Sequence, residues 1–212
     1  MSEDDSRPGP GPAYPPRAPE DFAPLYEGAP PWDINEPQPA FRALAEANEL
    51  TGSVLDVGCG TGEHALLAAG RGLPATGVDL APLALERARA KAAERGLPVR
   101  FLEHNALDLG SLDERFDTVL DSGLFHVFTD SDRAKYVISL AGAVRPGSRV
   151  HLLGFSDQQP GDWGPRRLTE DDIRTAFADG WQVTSLTRTT MAITHGEVQA
   201  WVADITRITP ES

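Results

Sequence analysis

From Ala40 onward the chain alternates short apolar runs with longer mixed stretches. The short runs, bounded by Gly, Pro or Asp, predict buried strands over 53–57 (SVLDV), 75–79 (ATGVD), 99–102, 116–121 (FDTVLD) and 149–155 (RVHLLGF). The stretches between them predict helices over 40–48, 63–71, 82–95 and 131–144. Pro82 suits a first helical turn, and Pro146-Gly147 stops the fourth helix. Thr169 followed three residues on by Asp172 has the pattern of a capping box and opens one more helix. Two runs rich in Thr, Val, Ile and Trp, 181–189 and 198–208, close the chain as strands joined by a short link. This alternation predicts an α/β fold: crossover units build a mostly parallel sheet with helices on both faces, and the terminal pair adds an antiparallel edge. Ligands of such sheets sit beyond the carboxyl ends of the strands.

The first 41 residues break the pattern. Eleven of the 18 prolines precede Ala40. Residues 1–21 hold few apolar groups and cannot offset the entropy of ordering, so a disordered Pro/Gly-rich tail is expected. Residues 22–41 carry Phe22, Leu25, Tyr26, Trp32, Ile34 and Phe41, which predicts an arm or lid folded onto a domain at 42–208. A chain of 212 residues suits one domain with a real core. Nineteen basic against 32 acidic residues, a net charge of -13, argue against nucleic acid, which needs a basic surface to displace counterions. The same charge argues against anionic lipid. No apolar run approaches the ~20 residues of a membrane span, and the acidic N-terminus does not resemble a secretory signal. A cytoplasmic protein is expected, with its oligomeric state open. The single Cys59 excludes an internal disulfide and a thiolate-built zinc site; no metal is expected.

The first strand runs into Asp56-Val-Gly58-Cys-Gly60-Thr-Gly62. Glycines there let the backbone turn sharply and let a ligand approach closely, although an ordinary tight turn would use them too. A dinucleotide loop reads G-x-G-x-x-G; this one reads G-x-G-x-G, with Asp56 two residues ahead. A carboxylate there repels a pyrophosphate and favours an ammonium or sulfonium centre. Asp79 closes the second strand, 17 residues past Gly62, where an acid can accept both hydroxyls of a ribose. The set points to S-adenosylmethionine and disfavours a nicotinamide-dependent oxidoreductase.

VLDVGCGTG followed by GVDLA resembles the class I S-adenosylmethionine-dependent methyltransferases, over about residues 40–208. The resemblance implies a Rossmann-like, seven-stranded, mostly parallel sheet with an antiparallel last strand and the cofactor across its carboxyl edge. It implies that Asp56, Gly58, Gly60 and Gly62 line the methionine part, with Cys59 packed among them. It implies that Asp79 holds the ribose and that Leu80 lies against the adenine. Asn105-Ala106 would stand near the adenine amino group, with Asn105 accepting through its carbonyl where the family usually has an acid. Asp121-Ser122-Gly123 would lie near the methionine and the acceptor. In the arm, Pro31-Trp32-Asp33-Ile34-x-x-Pro37-Gln38-Pro39 is similar to a segment of the thiopurine, thiol and halide methyltransferases, which implies that Trp32 covers the cofactor; Asn35 stands where that group often has glycine. SGLFH and FSDQQPGDWGPRR are similar to actinobacterial quinone or phenol methyltransferases. Together these imply methyl transfer to O, N or S of a small, aromatic or thiol-bearing molecule, with S-adenosylhomocysteine as product. A non-catalytic S-adenosylmethionine-binding sensor or inactive partner is the alternative.

Methyl transfer needs the nucleophile in line and within ~3–3.5 Å of the methyl. A phenol also needs a base. His126, five residues after Asp121, is the candidate base, with packing in the following turn as the competing role. His64 reads as a helix cap or a solvated side chain, His104 as a neighbour of the adenine, His151 as packing and His195 as exposed. The long link 156–167 reads as a lid. Phe155 and Trp163 would wall an aromatic substrate, Arg166 and Arg167 would recognise an anionic group, and Tyr26 would close the other side. Arg87, Arg89, Lys91, Arg95 and Arg100 read as a solvated face.

Overall fold

In the computed structural model, which describes residues 19–208, seven strands form one sheet in the order β3-β2-β1-β4-β5-β7-β6. β1 (Val54–Val57), β2 (Ala75–Asp79), β3 (Val99–Glu103), β4 (Phe116–Ser122) and β5 (Val144–Phe155) are parallel. β7 (Gly196–Arg207) runs antiparallel between β5 and the edge strand β6 (Trp181–Ile193). The helices are α1 (Pro39–Glu46), α2 (Glu63–Gly70), α3 (Pro82–Arg95), α4 (Asp130–Ala143) and α5 (Glu170–Ala176). None is long and apolar enough to cross a membrane.

Alternate strand residues serve opposite faces. Leu55, Val57, Val119 and Val150 join Tyr136 and Leu140 of α4 and Ile173 of α5 in one core. Val54, Leu120 and Leu153 join Phe41, Leu66 and Leu85 from α1, α2 and α3 in the other. Covering both faces explains why all four residues of β1 are buried and why the parallel strands read as apolar runs rather than alternations. The strand order reverses between β1 and β4, so the loops leaving those strands diverge and open a crevice at the carboxyl edge.

The capping box forms as predicted: Thr169 Oγ1 accepts from Asp172 N at 3.0 Å, and Thr169 N donates to the Asp172 carboxylate at 2.8 Å. β5 starts earlier than predicted. Pro146-Gly147 does not end the strand's pairing but lies within an irregularity, where Phe116 pairs with Val144 and Thr118 with Arg149. The predicted tail falls largely outside the described residues; its last three residues already belong to a 3-10 helix, Pro19–Glu27.

The arm is held by partners distant in sequence. The Gln38 side chain is buried and brackets one residue of β6: its amide donates to Ala192 O at 2.9 Å and its carbonyl accepts from Ala192 N at 2.8 Å. Thr194 N donates to Pro31 O at 2.8 Å. Tyr26 packs on Ala81 and Ala84 at the start of α3. The basic stripe expected to be solvated is partly a docking surface. Arg87 donates to Gly28 O at 3.2 Å, Arg89 to Phe101 O at 2.8 Å, and Lys91 to Thr61 Oγ1 at 2.8 Å. Lys91 and Arg95 both pair with Glu63 in the first turn of α2, at 2.9 and 2.8 Å. A carboxylate buried at that turn requires cationic partners, and α3 supplies them. Arg100 alone keeps an exposed pairing, with Glu114.

Replacing Gln38 by Ala leaves the backbone N–H and C=O of Ala192 without these partners, a cost of about 1–3 kcal/mol. Amide hydrogen exchange in residues 22–37 should accelerate by 10-fold or more, with β1 and β4 unchanged. Unaltered protection would show that Gln38 does not hold the arm.

Candidate functional site

Asp79 organises the crevice. One carboxylate oxygen accepts from Gly60 N and the other from Ala81 N, both at 2.8 Å, so the loop after β1 is tied to the end of β2. An ionised carboxylate offers about four acceptor sites. Two are engaged, and Asp79 lines the cavity with the remainder. Burial pushes its carboxyl above the ordinary range. The glycines are required by close neighbours as well as by backbone. At Gly60, with φ +52°, a Cβ would come within 2.6 Å of the Tyr26 hydroxyl; at Gly62, with φ +85°, within 2.6 Å of the Phe101 ring.

A cavity of about 630 Å³ lies beyond the carboxyl ends of the central strands. Its volume suits a nucleoside together with a small molecule. Val78, Asp79, Leu80, His104 and Ala106 line one end, and Phe155, Trp163, Met191 and Ile193 line another part. A narrow annex of about 50 Å³ continues beneath the arm, lined by Trp32, Asp33, His64, Ser122 and the backbone from Gly58 to Thr61. Trp32 Nε1 donates to the Tyr26 hydroxyl at 3.0 Å, and Thr61 Oγ1 donates to Asp33 at 2.8 Å, so the arm roofs the glycine loop. The chamber fits S-adenosylmethionine: a diol acceptor beside apolar walls at one end, and a close backbone cradle with a carboxylate at the other.

Tyr26, Trp32, Gly58, Leu80, Ala106 and Ser122 line the main cavity. Tyr26 is placed against the glycine loop and not on the far side of an acceptor, and burial with the nearby Asp79 charge pushes its hydroxyl's pKa up. Cys59 and Gly60 line the annex, and burial raises the Cys59 thiol well above its usual value. His126, Phe155, Trp163 and Arg166 also reach the cavity.

Other residues have their polar atoms engaged elsewhere. Asp56 is buried off the cavity wall; one oxygen accepts from Ala65 N at 3.0 Å and the other stands 3.8 Å from His64 Nδ1. His64 Nε2 accepts from Gln38 N at 3.2 Å, so this imidazole bridges Asp56 to the arm and neither caps its helix nor faces solvent. Gly62 packs against Phe101 and Ala88. Asn105 is exposed and its carbonyl accepts from Leu107 N at 2.9 Å, capping a turn in place of meeting an adenine; its neighbours His104 and Ala106 reach the cavity. Asp121 is fully buried, accepting from Leu124 N, Phe125 N and the Tyr136 hydroxyl at 2.9, 3.2 and 2.8 Å, and so holds the turn after β4. Burial pushes its pKa up to about 6. Arg166 is neutralised by Asp130 and Asp172. Arg167 donates to the carbonyls of Gln159, Gly161, Trp163 and Pro165, stapling the lid loop while its guanidinium stands 5.3 Å from the Phe155 ring centre.

His126 does not have the geometry of a base. Its Nδ1 accepts from Phe155 N at 3.0 Å, so the neutral ring carries its proton on Nε2. Burial, with Arg133 and Arg167 nearby, lowers its pKa to about 3. Among the described residues no cluster of three or more His, Cys, Asp or Glu side chains could hold a metal. Gln38, Asp33, Thr61 and Met191 escaped the sequence reading. The first two lie inside the arm motif, but nothing local in the sequence announces a partner on β6 or in the glycine loop.

Residues 54–147 match the family described as Methyltransferase domain. The chain is 37% identical over 174 residues to the 2-heptyl-1-hydroxyquinolin-4(1H)-one methyltransferase of Mycobacteroides abscessus, across 81% of this chain and 75% of that one. It is 40% identical over 113 residues to the demethylmenaquinone methyltransferase of Thermus thermophilus, across 52% of this chain and 50% of that one. A solved structure from work on the conversion of a disulfide bond into a thioacetal group during echinomycin biosynthesis superposes with TM-score 0.83 at 38% identity, covering 92% of this chain and 94% of that one.

Asp121 has a stability signature. An unfolded aspartate titrates near 3.9 and the folded one at about 6, so the native state binds more protons between those values. Its contribution to stability therefore falls as pH rises from about 4 to 6, by up to about 3 kcal/mol. Asp121→Asn keeps an acceptor for Leu124 and Phe125 and should flatten urea-denaturation stability across that window. An unchanged slope would show that Asp121 is not the titrating group.

Proposed function

The chain belongs to the class I S-adenosylmethionine-dependent methyltransferases, and from that premise we propose that it methylates an oxygen, nitrogen or sulfur of a small, planar, largely apolar acceptor held beneath the lid loop. Bound S-adenosylmethionine supplies an electrophilic methyl on a cationic sulfur. Asp79 holds the ribose hydroxyls with its remaining lone pairs, and Leu80 and Ala106 flank the base. Trp32 and Tyr26 cover the glycine loop, while Gly58 and Ser122 line the passage from annex to main cavity. Phe155 and Trp163, edge to face at 6.0 Å, form the acceptor wall with Met191. Holding both reactants in one apolar chamber supplies proximity and excludes water.

The observation that carries this reading is the Asp79 carboxylate, fixed by two backbone amides at the mouth of a 630 Å³ cavity. The aromatic wall supports a flat acceptor, as does the quinolinone in the name of the Mycobacteroides abscessus relative. The echinomycin-related structure supports sulfur as a further acceptor atom.

Calorimetry with S-adenosylhomocysteine tests the cofactor half. Wild-type protein should bind, and Asp79→Asn, which removes the charge from two hydrogen bonds, should weaken binding about 10- to 100-fold. Circular dichroism confirms that the variant folds. Absence of wild-type binding at about 50 µM would contradict the reading. Transfer of labelled methyl across phenols, hydroxyquinolines and thiols tests the other half; binding without transfer to any of them would favour the sensor alternative.

A further inference from the structure

The acceptor side of the cavity has no base poised to take a proton. Its titratable lining consists of Tyr26, Asp79, His104, His126, Asp130 and Asp162, with Arg166 and Arg167. Tyr26 and Asp79 are placed against the glycine loop at Gly60, and His104 stands beside Ala106 with its Nε2 2.9 Å from Asp108 O. Asp130 is exposed and paired with Arg166, and Asp162 is exposed. That leaves His126, whose Nδ1 is filled by the Phe155 amide and whose Nε2 therefore carries the proton, beside the Gly123 backbone at the cavity wall.

Two guanidinium groups act on His126, each offset in part by carboxylates: Arg133 by Asp130 and Asp172, and Arg167 by Asp162. From α4, Arg133 is buried; its nearest carboxylate oxygens lie at 3.4 and 3.8 Å, and its Nη2 has no partner among the described residues. From the lid loop, Arg167 donates to backbone carbonyls and forms no ion pair among the described residues. From β5 and β6, Phe155 and Met191 present apolar groups. Burial keeps the imidazole neutral, and the two guanidinium charges that add to this effect also favour an anion placed beside it.

Resting on the methyltransferase reading, we propose that this site selects acceptors whose reacting atom is already ionised, an acidic aryl or N-hydroxy oxygen or a thiolate, and that His126 is the specificity-determining residue that receives this anion on its Nε2–H. The new bond to the methyl carbon takes its electron pair from the acceptor anion, the pair of the broken carbon–sulfur bond stays on sulfur, and no proton passes to the protein. An un-ionised phenol is then a poor substrate although it fits the cavity.

Two readouts test this. The first follows kcat/KM against pH with thiophenol, 4-nitrophenol and phenol, which span acidities up to the pKa near 10 of a tyrosine-like hydroxyl. The midpoint should follow each acceptor's own ionisation. His126→Ala should lower kcat/KM for 4-nitrophenol about 10- to 100-fold without moving that midpoint. His126→Gln, which can both accept and donate, should stay within about 5-fold. A midpoint shared by all acceptors and lost in His126→Ala would make the histidine a base and overturn the proposal. The second needs no turnover: the absorption spectrum of 4-nitrophenol mixed with the wild-type S-adenosylhomocysteine complex, about one pH unit below its free pKa. Bound anion supports the proposal; bound neutral phenol, or none bound, overturns it. Failure of S-adenosylhomocysteine to bind would instead remove the underlying functional reading.

Discussion

Asp79 accepts from Gly60 N and Ala81 N, each at 2.8 Å, and those two bonds fix where the loop leaving β1 meets the helix following β2. Much of the site is arranged around that joint. Gly60 lies so close to the Tyr26 hydroxyl that a side chain there would displace the arm. Tyr26 in turn accepts from Trp32, and the arm is anchored at its far end by Gln38 on Ala192. The arm, the glycine loop and the Asp79 carboxylate are therefore one mechanical unit.

Charge is distributed by a similar economy of contacts. The carboxylates beside the glycine loop have partners within the protein: Asp56 accepts from Ala65 N, and Glu63 pairs with Lys91 and Arg95. Elsewhere His126 is held neutral by burial, with Arg133 and Arg167 nearby, and the Arg133 Nη2 has no partner among the described residues. A chain with net charge -13 thus places paired and unpaired arginines around one part of its cavity. Local geometry, rather than overall charge, sets what the cavity can receive.

The strands, the glycine loop and Asp79 were legible because their signals are local: apolar runs, glycine spacing and an acid at a strand end. β2 and α3 agree with the sequence reading at both ends. The roles of polar side chains were less legible, because an Asp or Asn can satisfy a backbone amide as readily as a ligand, and sequence spacing does not distinguish the two. Asn105, exposed, and Asp121, buried, both accept from backbone amides of the turns that follow them. Arg166 and Arg167, read as free cations, found two carboxylates and four carbonyls. His126 lines the cavity, but the partner that decides its tautomer, the Phe155 amide, lies 29 residues away at the end of β5. The anchor of the arm spans 154 residues, beyond any local pattern.

A crystal structure with S-adenosylhomocysteine tests the account most directly. It should show the ribose diol on the Asp79 carboxylate, the amino-acid portion in the annex beneath Trp32, and the sulfur facing the chamber bounded by His126 and Phe155. The product bound outside this crevice, or bound within it with the arm displaced and Asp79 unengaged, would contradict it.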